Sequence, residues 1–282
     1  MEQWRDTRPD LWLRDTQMEG IDFLEAFSPV AKTVIVRVLI ALAATRCWPL
    51  HQLDINNSFL HGDLDEEVYM SLPPGFHSKG GTSIASSSSN SSAPPIVYKL
   101  LKSLYGLRQA SRQWYTKLSY TIQQLGFVQS TADNSLFVHA KGSLFTTLLV
   151  YMDDIVITGN DPTCVATLKL VLDDKFGIKD LGSLEFFLGL EIARSKKGVS
   201  LNQRKFALDI LKETSIMGCK LAKSPMEQQL KLSKDSGELL LDSSKYRRLI
   251  GKLMYLTLSR LDITYAVNRP SQFLAKPRVP HM

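Results

Sequence analysis

Two apolar runs, Leu144 to Val150 and Ile155 to Thr158, meet at Tyr151-Met152-Asp153-Asp154, and this join limits what the chain can fold into more than any other stretch. Runs of this length, rich in β-branched residues and broken only by a short polar pair, predict a strand, a tight turn and a returning strand. Asp153 and Asp154 then project from a hairpin tip. Adjacent carboxylates repel one another unless a cation sits between them, and hard oxygen ligands suit a divalent ion. Asp-Asp is also ordinary turn chemistry, since Asp bonds its own backbone and tolerates unusual dihedrals, so the hairpin alone leaves both readings open. Asp54 supplies a third acid near the end of Trp48 to Ile55, a run that reads as a strand, and Phe59 follows shortly after. One acid from a strand and two from a hairpin is an arrangement that holds two magnesium ions for phosphoryl transfer.

The rest of the chain reads as α+β. Thr33 to Thr45 lacks Gly and Pro and precedes Trp48-Pro49, which predicts a buried helix leading to the Asp54 strand. Ser103 to Leu125 predicts a turn and a long helix, with Leu107, Trp114, Leu118 and Ile122 packing into the core at helical spacing. Asp161 suits an N-cap, Pro162 the first helical turn and Gly177 the stop. Leu184 to Ile192 and Val199 to Leu201 predict a second hairpin around Lys196-Lys197-Gly198, and helical stretches follow from Gln203 onward. Serine-rich 78–95 has little apolar surface to bury and is expected to be a flexible insert.

Composition excludes several classes. With 44% hydrophobic and 22% charged residues the chain is not disordered as a whole, and its net charge of +6 favours polyanionic partners. Lys99, Lys102, Arg108, Arg112 and Lys117 gather near one candidate motif, and Arg194, Lys196, Lys197, Arg204 and Lys205 gather later. Such clusters fit a nucleic-acid groove, and each also fits an ordinary solvated face. Cys47, Cys164 and Cys219 are far apart without Cys-x-x-Cys spacing, which indicates neither a disulfide framework nor a zinc site and suggests a reducing compartment. No signal peptide or membrane-length apolar run is apparent, so a soluble, intracellular chain without a membrane partner is expected.

Larger blocks narrow the reading. Leu53 to Leu64 with Glu67-Val68-Tyr69-Met70, then Ser103-Leu104-Tyr105-Gly106-Leu107-Arg108-Gln109-Ala110, then Tyr151-Met152-Asp153-Asp154, resemble the reverse transcriptase of copia-type LTR retrotransposons. Lys179-Asp180-Leu181-Gly182, Phe187 to Ile192 and Tyr246 to Leu256 are similar to later blocks of that family, in the same order. A metal-dependent phosphatase or nuclease would also want three acids, but it predicts none of these other blocks.

The resemblance implies a polymerase palm and fingers with an antiparallel sheet and catalytic hairpin, then a helical thumb and connection region. It divides the chain into 1–17, a fingers and palm region 18–193, and 194–282. By position it implies Asp54, Asp153 and Asp154 as catalytic carboxylates, and these with Ile55 as ligands of two Mg²⁺ ions, with Mn²⁺ as the substitute. Phe59, Tyr105, Gly106, Tyr151 and Met152 match the nucleotide pocket. Phe59 falls where a ring excludes a 2′-hydroxyl, and a core role for it is the rival reading. Phe187, Leu188, Gly189 and Leu190 match the hairpin called the primer grip, and Lys179 matches a candidate proton donor to the leaving pyrophosphate. The implied partners are an RNA or DNA template with primer and deoxynucleoside triphosphates. The alternative is a non-catalytic nucleic-acid-binding remnant.

Departures matter too. Ser111 stands where the family has Pro, and Pro270, where it has Leu, should break or kink a helix over Ile263 to Phe273. No ribonuclease H, integrase, protease or capsid module is expected within these residues. The stretch before Met18 lacks the basic pattern Glu-Arg-Tyr-Lys-Ala-Arg-Leu-Val-Ala-Lys-Gly-Tyr. One legal codon set for Met1 to Thr16, shifted by two bases, reads Gly-Ala-Val-Glu-Arg-Tyr-Lys-Ala-Arg-Leu-Val-Ala-Lys-Gly-Tyr, so this segment reads as fingers sequence out of frame, in a degraded or truncated copy.

Overall fold

A computed structural model of the chain describes residues 17–20, 23, 25–71, 97–196, 198–227 and 229–282. The expected aberrant segment before Gln17 and the serine-rich insert 78–95 lie outside these residues. The chain divides into two compact units, Met1–Ser183 and Leu184–Met282.

The first unit is built on an antiparallel six-stranded sheet. Its strands are β1 (Leu50–Ile55), β4 (Val128–Gln129), β5 (Leu136–Lys141), β6 (Leu144–Tyr151), β7 (Asp154–Gly159) and β8 (Ile178–Ser183). They lie in the order β4-β5-β6-β7-β1-β8. Helices α2 (Ala110–Gln124) and α3 (Pro162–Phe176) cover one face, where Leu53, Ile55, Leu148, Val150, Ile155 and Ile157 pack against Trp114, Leu118, Leu168 and Leu172. Strand alternation therefore sends Gln52 and Asp54 to the opposite face. A separate pair, β2 (Asp63–Ser71) and β3 (Val97–Lys102), is also antiparallel. Nothing in the periodicity announced this pair or β8, because their polar, irregular sequences carry no clean alternation.

Local chemistry sets the helix limits. Asp161 Oδ1 accepts from the Cys164 amide (3.0 Å), Pro162 opens α3, and Gly177 closes it at φ 64°. Helix α1 (Thr33–Thr45) spans the expected residues but is amphipathic rather than buried all round. Val36, Leu39, Ile40 and Ala43 face inward while Val34 and Val38 are exposed. The residue before α1 is held by Asp133, whose carboxylate accepts the Lys32 amide (2.8 Å) and the Ser135 amide and hydroxyl (3.0 and 2.6 Å). Among the described residues no helix is long and apolar enough to cross a membrane.

The second unit corrects one expectation. Leu184 to Ile192 is not a single strand: β9 (Phe186–Phe187) turns through Leu188-Gly189 into β10 (Leu190–Ser195), which then pairs with β11 (Gly198–Asn202). Leu188 and Gly189 have φ of 50° and 67°, the doubly positive pattern of a two-residue hairpin turn. Helices α4 (Arg204–Glu213), α5 (Ser243–Leu256) and α6 (Thr264–Ser271) follow. Pro270 sits in the last turn of α6, which ends one residue later, and the Tyr246 hydroxyl donates to its carbonyl (2.7 Å).

Burial alone would raise the Asp133 carboxyl, but hydrogen bonds from Ser135 and Lys32 and the Lys32 charge outweigh it and hold it below 3.8. A carboxylate depressed in the fold stabilises it above the unfolded pKa, and that contribution fades as pH falls through the lower folded value. Asp133→Ala should therefore destabilise the fold at pH 7, by the order of 1–3 kcal/mol that an orphaned buried donor costs. The difference from the unmodified chain, read by thermal melts, should shrink progressively below pH 4.

Candidate active site

Strand β1 runs between β7 and β8, and its register sets the site. Asp54 lies directly opposite Asp154 on one side and opposite Lys179 on the other. Directly opposed residues share a face, so these three side chains emerge together. Asp180 takes the other face, where Lys169 of α3 binds it (2.7 Å). Asp153 occupies the two-residue turn between β6 and β7, tied to β1 by the Ile55 amide, which donates to its carbonyl (3.0 Å). Ile55 itself is 2% exposed with its side chain in the core, so only its backbone carbonyl can act as a ligand.

The turn is strained and anchored. Met152 adopts φ 56°, a left-handed conformation that costs a residue with a side chain about 1–3 kcal/mol. Trp114, fully buried in α2, donates its indole N–H to the Met152 carbonyl (3.0 Å). Its ring also packs edge-on against Phe176 (5.0 Å) and, tilted, against His61 (5.7 Å), which lies on the short 3-10 segment Ser58–His61 after β1. Gly62 lets that segment close on α2, because a Cβ there would meet the Trp114 backbone nitrogen at 2.9 Å. The Trp114 and Gln52 contacts were not legible: Trp114 read only as core, and no motif marks Gln52.

Electrostatics tie the three acids. Burial pushes the Asp154 carboxyl up, a hydrogen bond from Gln52 Nε2 (3.2 Å) opposes this, and the Asp153 and Asp54 charges push it further up. The three carboxylates thus share one electrostatic neighbourhood, although their oxygens do not all lie within 4.8 Å of one another, as those of a single closed ligand cluster would.

The remaining expected residues fall into two groups. Phe59, on the 3-10 segment, and Tyr105 are in ring contact (4.9 Å), and Gly106 follows at φ 99°. Phe59 also packs against both the main core and the Val68-Leu107-Ala110 cluster, so a packing role is real whatever else it does. Tyr151 ends β6 opposite Asp154. In the second unit, Phe187 and Leu190 are buried, leaving the Leu188-Gly189 turn as the accessible part of that motif. The first basic cluster is largely neutralised: Lys99 pairs with Glu67, Arg112 with Glu25 (3.0 Å) and Lys117 with Asp63 (2.7 Å).

Residues 15–228 match the family model described as reverse transcriptase (RNA-dependent DNA polymerase). The chain is 44% identical over 266 residues to the retrovirus-related Pol polyprotein from transposon RE1 of Arabidopsis thaliana, covering 94% of this chain and 17% of that protein. It is 36% identical over 275 residues to the corresponding polyprotein from transposon TNT 1-94 of Nicotiana tabacum, covering 94% and 20%. A telomerase structure from Candida albicans superposes only weakly, with TM-score 0.33 and 10% identity over 75% of this chain and 41% of that one. The chain belongs to the reverse transcriptase family, in its copia-type retrotransposon branch, and spans 17–20% of the length of these two relatives.

A carboxyl raised in the fold favours its neutral form there, so stability falls as pH rises from the unfolded value through the folded one. Asp154→Asn mimics the neutral form and should raise Tm at pH 7 in chelator. Solvent still reaches this half-buried group, which limits the gain to roughly 1–2 °C. The gain should disappear when millimolar Mg²⁺ is added; a lower Tm in chelator would refute the burial and like-charge penalties that raise this carboxyl.

Proposed function

We propose that this member of the RNA-dependent DNA polymerase family is the polymerising domain of a retrotransposon Pol protein, adding deoxynucleotides to a primer paired with an RNA or DNA template. The observation that carries the proposal is the β1 register, which sets Asp54 against Asp154 beside the turn bearing Asp153.

The donor set suits Mg²⁺, or Mn²⁺ in its place: three hard carboxylates whose repulsion a divalent cation would relieve. Asp54 and Asp153, with the Ile55 carbonyl, would hold the ions. When bound, such ions activate the primer 3′-hydroxyl and neutralise the triphosphate. In the reaction proposed, the 3′-oxygen forms a bond to the α-phosphorus and the bond to the β-phosphate oxygen breaks, releasing pyrophosphate. Asp154, held by Gln52, acts as a positioning residue at the rim. Lys179, exposed and opposite Asp54, is a candidate to protonate the leaving group. The Phe59 ring, braced by Tyr105, would sit beneath the sugar, and Gly106 would let backbone approach the base pair. The Leu188-Gly189 turn would grip the primer.

A second reading, a weakly active or inactive copy, is favoured by the sequence before Gln17. The Gln17 side chain accepts from the Arg108 amide (2.8 Å) and donates to the Gln109 side chain (2.9 Å). Gln17 is thus anchored just after the Tyr105-Gly106 turn, at the pocket proposed for the triphosphate. Residues 1–16 carry Arg5, Arg8 and Arg14, but with Asp6, Asp10 and Asp15 among them.

Primer extension separates the readings. The unmodified chain should bind primer-template in a salt-sensitive way and extend it poorly. Replacing residues 1–16 with the shifted-frame sequence should raise extension by about 100-fold or more, and Asp54→Asn or Asp153→Asn should abolish that gain. Robust extension by the unmodified chain would overturn the weak-copy reading, and extension surviving both Asn variants would overturn the site. In the repaired chain Phe59→Ala should admit ribonucleotides more readily; an unchanged ratio of ribo- to deoxynucleotide incorporation would return Phe59 to core packing.

A further inference from the structure

His139, Asp161 and Cys164 form a cluster apart from the three acids. Each offers a ligand atom within 4.8 Å of the other two, and all three residues are half-buried. His139 comes from β5, Asp161 precedes α3, and Cys164 lies in its first turn, so the fold alone assembles them. Together they line a cavity of about 590 Å³ with Leu125, Phe127 and Lys141.

The geometry fits a shared ligand as well as the thiol–imidazole hydrogen bond that joins two of the three residues. His139 Nδ1 and Cys164 Sγ are 3.7 Å apart. Tetrahedral zinc with Zn–S of about 2.3 Å and Zn–N of about 2.05 Å sets those two atoms about 3.6 Å apart. The His139 ring is held in place: its Nε2 edge faces Gly126, and the ring lies 5.3 Å from that of Phe127. Nδ1 is thereby left toward the sulfur. Asp161 gives one oxygen to the Cys164 amide, and a carboxylate has a second.

An independent observation points to a missing partner. Thr146 stands directly opposite His139 on β6 and is 0% exposed. Its hydroxyl has no hydrogen bond of normal geometry, yet it lies beside the Cys164 sulfur. Buried hydroxyls are rarely left so, and a bound water or ion is a usual reason.

We propose that His139 Nδ1, a carboxylate oxygen of Asp161 and Cys164 Sγ bind one Zn²⁺ ion, with a water as fourth ligand that gives the Thr146 hydroxyl its partner. Binding releases the thiol proton to solvent and leaves zinc in its divalent state, with no redox change. The ion would fasten the start of α3 to β5, stiffening the helix that lies under the catalytic sheet. Cysteine spacing gave no sign of it, because the ligands lie 25 residues apart in sequence at their widest.

Cys47 and Cys219 are exposed thiols, so Zn²⁺ binding should be measured by equilibrium dialysis on a Cys47→Ser/Cys219→Ser chain. One ion per chain is expected, and Co²⁺ in its place should give a near-ultraviolet thiolate-to-cobalt band. His139→Gln and Cys164→Ser should each weaken binding by about 100-fold or more, beyond the loss caused by altering outer partners of a ligand. Asp161→Asn keeps the helix cap and should weaken it less. The unmodified chain gives a readout independent of variant folding: Zn²⁺ should slow alkylation of Cys164, mapped by mass spectrometry, but not of Cys47 or Cys219. Absence of bound metal, binding unchanged in His139→Gln and Cys164→Ser, or Cys164 alkylation indifferent to Zn²⁺ would each overturn the proposal.

Discussion

The pairing of β1 between β7 and β8 is the constraint on which the site depends. Side chains along a strand alternate between faces, so a slip of one residue would drive Asp54 toward α2 and α3 and push Leu53 and Ile55 out of the core. Burial of Leu53 at 0% and Ile55 at 2% thus fixes the register, and the register brings Asp54 opposite Asp154 and Lys179. Apolar packing on one face of the sheet is what aims charge on the other.

That aim has a cost. Burial first, and then the Asp153 and Asp54 charges, push the Asp154 carboxyl up, and Met152 is held at positive φ. Neither feature stabilises the chain by itself. Both persist because the surroundings over-determine them: the Trp114 indole and the Ile55 amide each bind a carbonyl of the turn, and the apolar strands on either side admit little movement. An acid cluster of like charges on a turn anchored by two hydrogen bonds fits the chemistry proposed for it.

Much of this was legible in the sequence where local chemistry and tertiary demand agree. The hairpin around Met152-Asp153 followed from two apolar runs, and α3 followed from Asp161, Pro162 and Gly177 because cap, first turn and stop are each local choices. The family followed from ordered blocks of residues. Other features were hidden because they depend on distant partners. The Gln52–Asp154 bond spans 102 residues, and Lys99, Arg112 and Lys117, which read as free cations, find acids far off in sequence. Leu188-Gly189 broke a strand that the apolar run alone reads as continuous, since Leu188 takes a positive φ that leucine rarely adopts and no local residue signals it.

The acid-bearing end of β1 is proposed as a divalent-ion site. Anomalous diffraction from crystals grown with Mn²⁺, primer-template and a deoxynucleoside triphosphate tests it most directly. Anomalous density should touch carboxylate oxygens of both Asp54 and Asp153. Density that avoids those two residues, with substrate bound elsewhere on the chain, would contradict it.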